Sequence, residues 1–203
     1  MPPDISHSHY SALTVKNAVV DQFREDTGQR PNVDPDNPDL PLVVFLQRDE
    51  AWLYRSLSGL GSLHKRGYRD SMHRSSLRET LAAAMLLFAG YDPDKDVLLD
   101  PMCGSGTIAI EAALMARRIA PGLVRVRKAR DLGVLVPARW PDTDVELLKE
   151  VVREARERER DAPLPIMAND VHPGAFQLAL KDAISAGVDG SIEFSNMDAD
   201  DLQ

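Results

Sequence analysis

One stretch constrains this chain more than any other: Val97-Leu-Leu-Asp-Pro-Met-Cys-Gly-Ser-Gly-Thr-Ile-Ala-Ile-Glu-Ala-Ala-Leu114. The apolar run into Asp100 predicts a buried strand, the glycines a sharp turn, and the residues from about Thr107 a helix. Gly104 and Gly106 let the backbone turn tightly and approach a ligand closely. The helix after the turn aims N–H groups that have no intrahelical acceptor back at that ligand. Asp100, at the carboxyl end of the strand, suits an amine or a hydroxyl better than a phosphate. No lysine follows Gly106, so the turn is not a P-loop. The dinucleotide fingerprint is a closer rival, because Ala109 can fill its third position, and spacing alone leaves it open. Two features weigh against it. An Asp-Pro pair separates the strand from the glycines, and Arg117 to Arg130 holds no acid where a ribose ligand is expected, about 20 residues on.

The order from Val97 onward is strand, helix, extra helix, strand, helix, strand. Pro165-Ile-Met-Ala-Asn-Asp170 is the second strand, and Ser191-Ile-Glu-Phe-Ser195 the third. Between them Pro173 sits well at the first turn of a helix and Gly187 at its end, with Phe176, Ala179, Leu180, Ala183 and Ile184 facing the sheet. Before them Asp144 to Arg160 predicts an amphipathic helix with Val145, Leu148, Val151, Val152 and Ala155 on one face and a Glu154–Arg158 pair on its solvated side. Such alternation implies an α/β fold with a parallel sheet and helices on its faces. Right-handed crossovers place all carboxyl ends on one rim, where ligands bind. Three acids fall there: Asp100, Asp170 and Asp198.

The first third reads differently. Ala12 to Arg24 predicts a helix with Leu13, Val20 and Phe23 on one face, ended by Gly28 and Pro31. Asn32 to Pro41 is a loop, and Leu42–Gln47 and Ala51–Ser56 form a hairpin around Arg48-Asp-Glu50. These elements are too few to cover a sheet and belong to something larger. A glycine-punctuated linker follows. From His64 to Arg78 it carries five cations, Lys65, Arg66, Arg69, Arg74 and Arg78, against Asp70 alone. Solvated connector and phosphate contact are equally consistent with that composition, with Tyr68 available for stacking. Ser76-Leu-Arg-Glu79 reads as a capping box for a helix over the apolar run Leu81 to Phe88, which Gly90 ends. A second basic stretch, Arg117 to Arg139, has Trp140 beside it; the helix after the glycine turn is expected to end near Pro121-Gly122.

Composition narrows the classes. The 203 residues are 43% hydrophobic and 28% charged with a net charge of −8, enough for a core and not the balance of an overtly nucleic-acid-binding chain. Cys103 alone can form no internal disulfide or cysteine zinc site, and the five histidines show no ligand spacing, so no metal is expected. With no apolar run long enough for a bilayer and a polar start, a reducing, cytoplasmic location is the expectation.

Asp100-Pro-Met-Cys-Gly-Ser-Gly-Thr107 resembles motif I of the S-adenosylmethionine-dependent methyltransferases, in the form used by amino-group methylases of nucleic acids. Taken with Leu63-His-Lys-Arg-Gly-Tyr-Arg69, Leu77–Ala84, Glu111-Ala-Ala-Leu-Met-Ala116 and Ala120-Pro-Gly122, the chain resembles the THUMP-domain guanine-N2 RNA methyltransferases, most of all the bacterial type acting on large-subunit ribosomal RNA. Val15–Asp21 and Arg30–Asp34 are similar to the tail of the THUMP domain, an RNA-binding module.

The resemblance implies a Rossmann-like methyltransferase sheet, of which the N-terminal half lies here, preceded by the end of an α+β THUMP domain. The expected division is 1–57 THUMP remnant, 58–76 basic linker and 77–203 methyltransferase. It implies S-adenosylmethionine as cofactor. Asp100 would meet its amino group, Asp170 its ribose hydroxyls and Asp198 its adenine amine, with Met102, Cys103, Gly104, Gly106, Thr107, Val171 and Ala199 flanking them. It implies an RNA partner, ribosomal by preference, met by Lys65, Arg66, Tyr68 and Arg69. A tRNA guanine-N2 enzyme, a DNA amino-methylase and a non-enzymatic RNA-binding fragment remain alternatives. The family's Asn-Pro-Pro-Tyr loop, which grips the target amine, is expected beyond Gln203. No catalytic residue is therefore assigned, and the chain by itself is expected to be inactive. Cys103 is read as lining the cofactor and not as a nucleophile.

Overall fold

The computed structural model describes residues 7–59, 61–69 and 77–202. The chain opens with helix α1, Ser8–Thr27, closed by Gly28 at φ 76°. It is longer than the expected Ala12–Arg24. Of the three residues assigned to its inner face, Val20 is buried, while Leu13 and Phe23 are 41% and 53% exposed. Strands β1 (Leu42–Gln47) and β2 (Glu50–Arg55) form an antiparallel hairpin in which Leu42 faces Arg55 and Gln47 faces Glu50. β2 starts at Glu50, one residue before the expected Ala51, so the turn contracts to Arg48-Asp49, with Arg48 taking φ 52°.

The second sheet is parallel, in the order β3 (Leu98–Asp100), β4 (Ile166–Asn169), β5 (Glu193–Ser195). α3 (Thr107–Ala116) crosses from β3 towards α4 (Pro121–Ala129) and α5 (Val145–Glu157); α6 (Pro173–Ala186) links β4 to β5. α3 is alanine-rich and hydrophobic nearly all round, which is the signature of a helix with no solvent face. Ala109, Ile110, Ala112, Ala113 and Ala116 are all fully buried. Its small side chains let α6 and the sheet approach closely, and Ile166, Ala168, Ala183, Ala186 and Ile192 complete one core. α2 (Glu79–Phe88) packs against α3.

Four expectations are corrected here. The extensive helix packing among the described residues is on one face of the sheet, not both: Leu98 and Phe194 pack against the core, whereas Leu99, on the opposite face, is 49% exposed. α3 ends at Ala116, because Pro121 starts a separate helix at its first position, where the missing N–H is harmless. On α6 and α5 the outermost members of the expected faces, Ile184 (57%) and Val151 (53%), are exposed, and the charged Asp182 takes a buried place instead. The expected capping box is not formed: Ser76 lies outside the described residues, α2 starts at Glu79 with Arg78 at its N-cap, and Glu79 is buried and points to Arg69.

Residues 61–69 of the linker are held at several carbonyls. Arg125 of α4 donates to the carbonyls of Ser62 (2.9 Å) and Lys65 (2.7 Å), and Lys128 to that of Gly67 (2.9 Å). The hairpin is tied to the segment before α5. Trp140 Nε1 donates to the Asp39 carbonyl (2.7 Å), the Arg55 guanidinium lies 4.6 Å from the Trp140 ring centre, and Arg139 reaches Asn37 (2.8 Å). The second basic stretch is thus spent largely on internal carbonyls and ion pairs.

Candidate functional site

The parallel strands end on one rim, and the glycine turn sits over it. Asp100 closes β3, Asp170 follows β4, and Asp198 lies just beyond β5. The turn is tied to β4 by two bonds: Cys103 N donates to the Asn169 carbonyl (2.7 Å), and Gly104 N to Asp170 Oδ2 (2.8 Å). Asp170 Oδ1 accepts from His172 N (2.9 Å). Both glycines are left-handed, with φ 57° at Gly104 and 73° at Gly106, but for different reasons. A Cβ on Gly106 would sit 3.0 Å from Ala179 Cβ on α6, so its absence permits close packing. A Cβ on Gly104 would meet nothing within 4 Å, so that side of the turn is open space beside Asp170. The first N–H groups of α3 start behind it.

Asp100 Oδ1 accepts from Met102 N (3.4 Å), and Asp198 Oδ1 from Asp200 N (3.1 Å), capping the short turn Ala199–Asp201. Met102 (77%) and Val171 (63%) are exposed on either side, and Ala199 is half-buried. Burial, reinforced by the neighbouring Asp170, raises the Asp100 carboxyl above its ordinary range, despite the Met102 N–H. Burial and the charges of Asp100 and Asp170 push the Cys103 thiol up to about 12, so at neutral pH it is a protonated lining group. Asn169, absent from the expected site, knits the rim. Its amide donates to the carbonyls of Pro101 (3.1 Å) and Met197 (3.0 Å), and its oxygen accepts from Ser195 Oγ (2.8 Å) and Met197 N (3.2 Å).

Behind the turn lies a buried charge network. The Arg69 side chain is 4% exposed. Its guanidinium donates to the Leu77 carbonyl (2.9 Å), to Ser105 Oγ (3.0 Å) and to Thr107 Oγ1, and lies 3.5 Å from Asp182 and 3.8 Å from Glu79. Arg66 pairs with Glu111 at 3.3 Å, and the Tyr68 hydroxyl donates to the same carboxylate (3.4 Å). Burial, then the Glu111 charge, raises the Tyr68 phenol well above its usual range. Sequence held one signal of this: Glu111 and Asp182 each interrupt an apolar helix face, and a buried acid requires a partner.

Residues 66–203 match the RMKL-like methyltransferase domain, and residues 4–55 match the THUMP domain. The chain belongs to the RMKL-like methyltransferase family. It is 43% identical to a ribosomal RNA large subunit methyltransferase K/L of Syntrophotalea carbinolica over 98% of its own length and 28% of that protein's. Among solved structures it resembles SMU.472 complexed with SAH (32% identity, TM-score 0.74, 93% of this chain and 47% of that one). It also resembles a predicted N6-adenine-specific DNA methylase from Listeria monocytogenes str. 4b F2365 (33%, TM-score 0.78, 94% and 48%). The chain therefore spans less than half the length of these relatives.

In this RMKL-like domain the expected RNA contacts are placed differently from the cofactor set. Lys65 is exposed. Arg66, Tyr68 and Arg69 turn inward to Glu111, Glu79 and Asp182, and Tyr68 is 1% exposed, so those three side chains serve the interior. The residues expected to seat the cofactor lie close together: Asp100 at the end of β3, Cys103, Gly104 and Gly106 in the turn, Asp170 bonded to it and Asp198 on the same rim, whereas Thr107, at the start of α3, is 4% exposed with its hydroxyl on Arg69.

Proposed function

We propose that this chain carries the cofactor-seating part of an S-adenosylmethionine-dependent RNA methyltransferase whose product is guanine methylated at N2 in large-subunit ribosomal RNA. We assign residues 1–57 to the RNA-binding module, 58–76 to the linker and 77–203 to the methyltransferase domain, in a cytoplasmic protein. The observation that carries the reading is Asp170 at the open side of the Gly104 turn. A carboxylate has about four lone-pair directions. Gly104 N and His172 N occupy two of them, so two remain for a pair of adjacent hydroxyls such as a ribose presents. The SAH bound in SMU.472 and the ribosomal RNA named for the Syntrophotalea relative support the same reading.

The residues fit the cofactor. Asp170 would hold the ribose, Asp100 the amino group and Asp198 the adenine amine, with Met102, Val171 and Ala199 as apolar flanks. S-adenosylmethionine supplies the methyl group when bound; this chain's part is to seat and orient it. Asp170→Ala should weaken S-adenosylmethionine or SAH by roughly 10- to 100-fold, since a charged acceptor of this kind contributes about 1.5–3 kcal/mol. Isothermal calorimetry measures it, and equal affinity in the variant and the parent removes Asp170 from the site.

The substrate is read by methyl-transfer assay with labelled cofactor, on unmodified ribosomal RNA and on duplex DNA, using a protein that carries this chain followed by an Asn-Pro-Pro-Tyr segment. Label in N2-methylguanosine is the expected product. Label in N6-methyladenine of DNA would favour the reading that the name of the Listeria relative represents.

A further inference from the structure

We propose that Arg69 is a positioning residue for the cofactor turn. It acts from behind the loop, through Ser105 and Thr107, and touches no ligand itself. The inference rests on the cofactor reading above and deepens it.

One terminal guanidinium nitrogen of Arg69 donates to both Ser105 Oγ and Thr107 Oγ1, the two hydroxyls that flank Gly106. The opposite side of the same turn is held by backbone N–H bonds from Cys103 to Asn169 and from Gly104 to Asp170. Gly106 between them is pressed against Ala179, and Asp182, one helical turn further along α6, approaches Arg69 Nε at 3.5 Å. A turn with two left-handed glycines has many alternative conformations, and glycine loses more freedom on ordering than any other residue. Two hydroxyls fixed by one planar cation remove most of those alternatives. A planar fork can bridge several acceptors at once, whereas an ammonium acts as a point charge. The Leu77 carbonyl, 2.9 Å from another Arg69 nitrogen, and Glu79 at 3.8 Å fix the fork in turn from the start of α2. The linker that joins the hairpin to the methyltransferase fold therefore supplies the side chain that shapes the cofactor turn.

The test separates loop positioning from general ion pairing. Arg69→Lys keeps a cation near Glu79 and Asp182 but loses the fork. Ser105→Ala combined with Thr107→Val leaves every ion pair intact and removes the acceptors. Hydrogen exchange of the 203-residue chain, resolved to single amides, is the primary readout, and SAH affinity the second. Both variants should speed exchange at Gly104 to Ile108 by tenfold or more, leave β4 and the C-terminal half of α6 unchanged, and weaken SAH at least fivefold. Joining all three substitutions should add no further effect. Unchanged exchange in the Ser105→Ala/Thr107→Val variant, or acceleration spread evenly over the core in Arg69→Lys, overturns the proposal. Should the parent bind no SAH, the cofactor reading falls, and the exchange data still decide whether Arg69 orders the turn.

Discussion

Glu111 sits on α3 with 2% exposure, facing Arg66 and Tyr68. Burial raises its carboxyl above the ordinary 4.5, and the Arg66 and Tyr68 bonds only partly offset this. An acid raised in this way holds its proton more tightly in the folded chain than in the unfolded one. Its contribution to stability is therefore complete below 4.5 and is lost as pH rises through the higher folded value. Glu111→Gln removes that titration. The variant should lose less stability than the parent between pH 4.5 and 7, whatever its absolute level, as urea midpoints across that range will show. Parallel pH profiles would mean that Glu111 titrates alike in both states. Arg66 and Arg69 stand on the other side of the same balance. Leaving any of these buried charges without its partner costs about 3–5 kcal/mol, so they are better understood as interior groups than as a surface for phosphate.

At the scale of the elements, the glycine turn gives the sharpest expectation. Gly106→Ala combines left-handed backbone strain with a 3.0 Å approach to Ala179 Cβ, while Gly104→Ala has the strain alone. The strain is about 1–2 kcal/mol, and overpacking adds about 1–3 kcal/mol. Urea denaturation should therefore rank Gly106→Ala as the more damaging to stability, and SAH titration should show that Gly104→Ala, though better folded, still binds poorly because its methyl enters the open side. Equal losses of stability would contradict the assigned packing of α6. From Leu98 onward the three strands, α3, α5 and α6 were legible in sequence because they carry their own punctuation, such as Asp-Pro and two glycines after β3 and Pro173 and Gly187 around α6, whereas α4 was not, since Pro121 read as the end of α3. The rim acids were legible because parallel crossovers force strand ends together. What stayed hidden was long-range. Nothing local to Lys65-Arg-Gly-Tyr-Arg69 tells whether its cations face water or the acids 10 to 113 residues further on that they meet, Glu79 and Asp182 among them. Asn169 was hidden for the same reason, since its four bonds go to Pro101 after β3, to Met197 after β5 and to Ser195 of β5 itself.

Over the whole molecule, the two sheets are joined by a stretch whose composition looks loose. Gly59, Gly61 and Gly67 punctuate it, and it is rich in the lysines and arginines that trypsin cuts beside. Yet the carbonyls of Ser62, Lys65 and Gly67 are gripped by Arg125 and Lys128, and Arg66, Tyr68 and Arg69 are anchored in the interior. A protease needs its target strand extended and free of such bonds, so cleavage here requires local opening, whose population falls with each contact that must break. The Arg48 turn is exposed and, among the described residues, has no comparable anchorage. In a limited tryptic digest read by mass spectrometry, the bond after Arg48 should be cut well before those after Lys65 and Arg66. Replacing Arg125 by alanine should reverse that order by unmasking the linker. Early cleavage after Lys65 in the parent would show the grip to be weak. The basic segment Lys65–Arg69, which looks open to attack, thus becomes one of the more shielded, and the fragment that survives the cut after Arg48 should carry β2 and the glycine turn together as one piece.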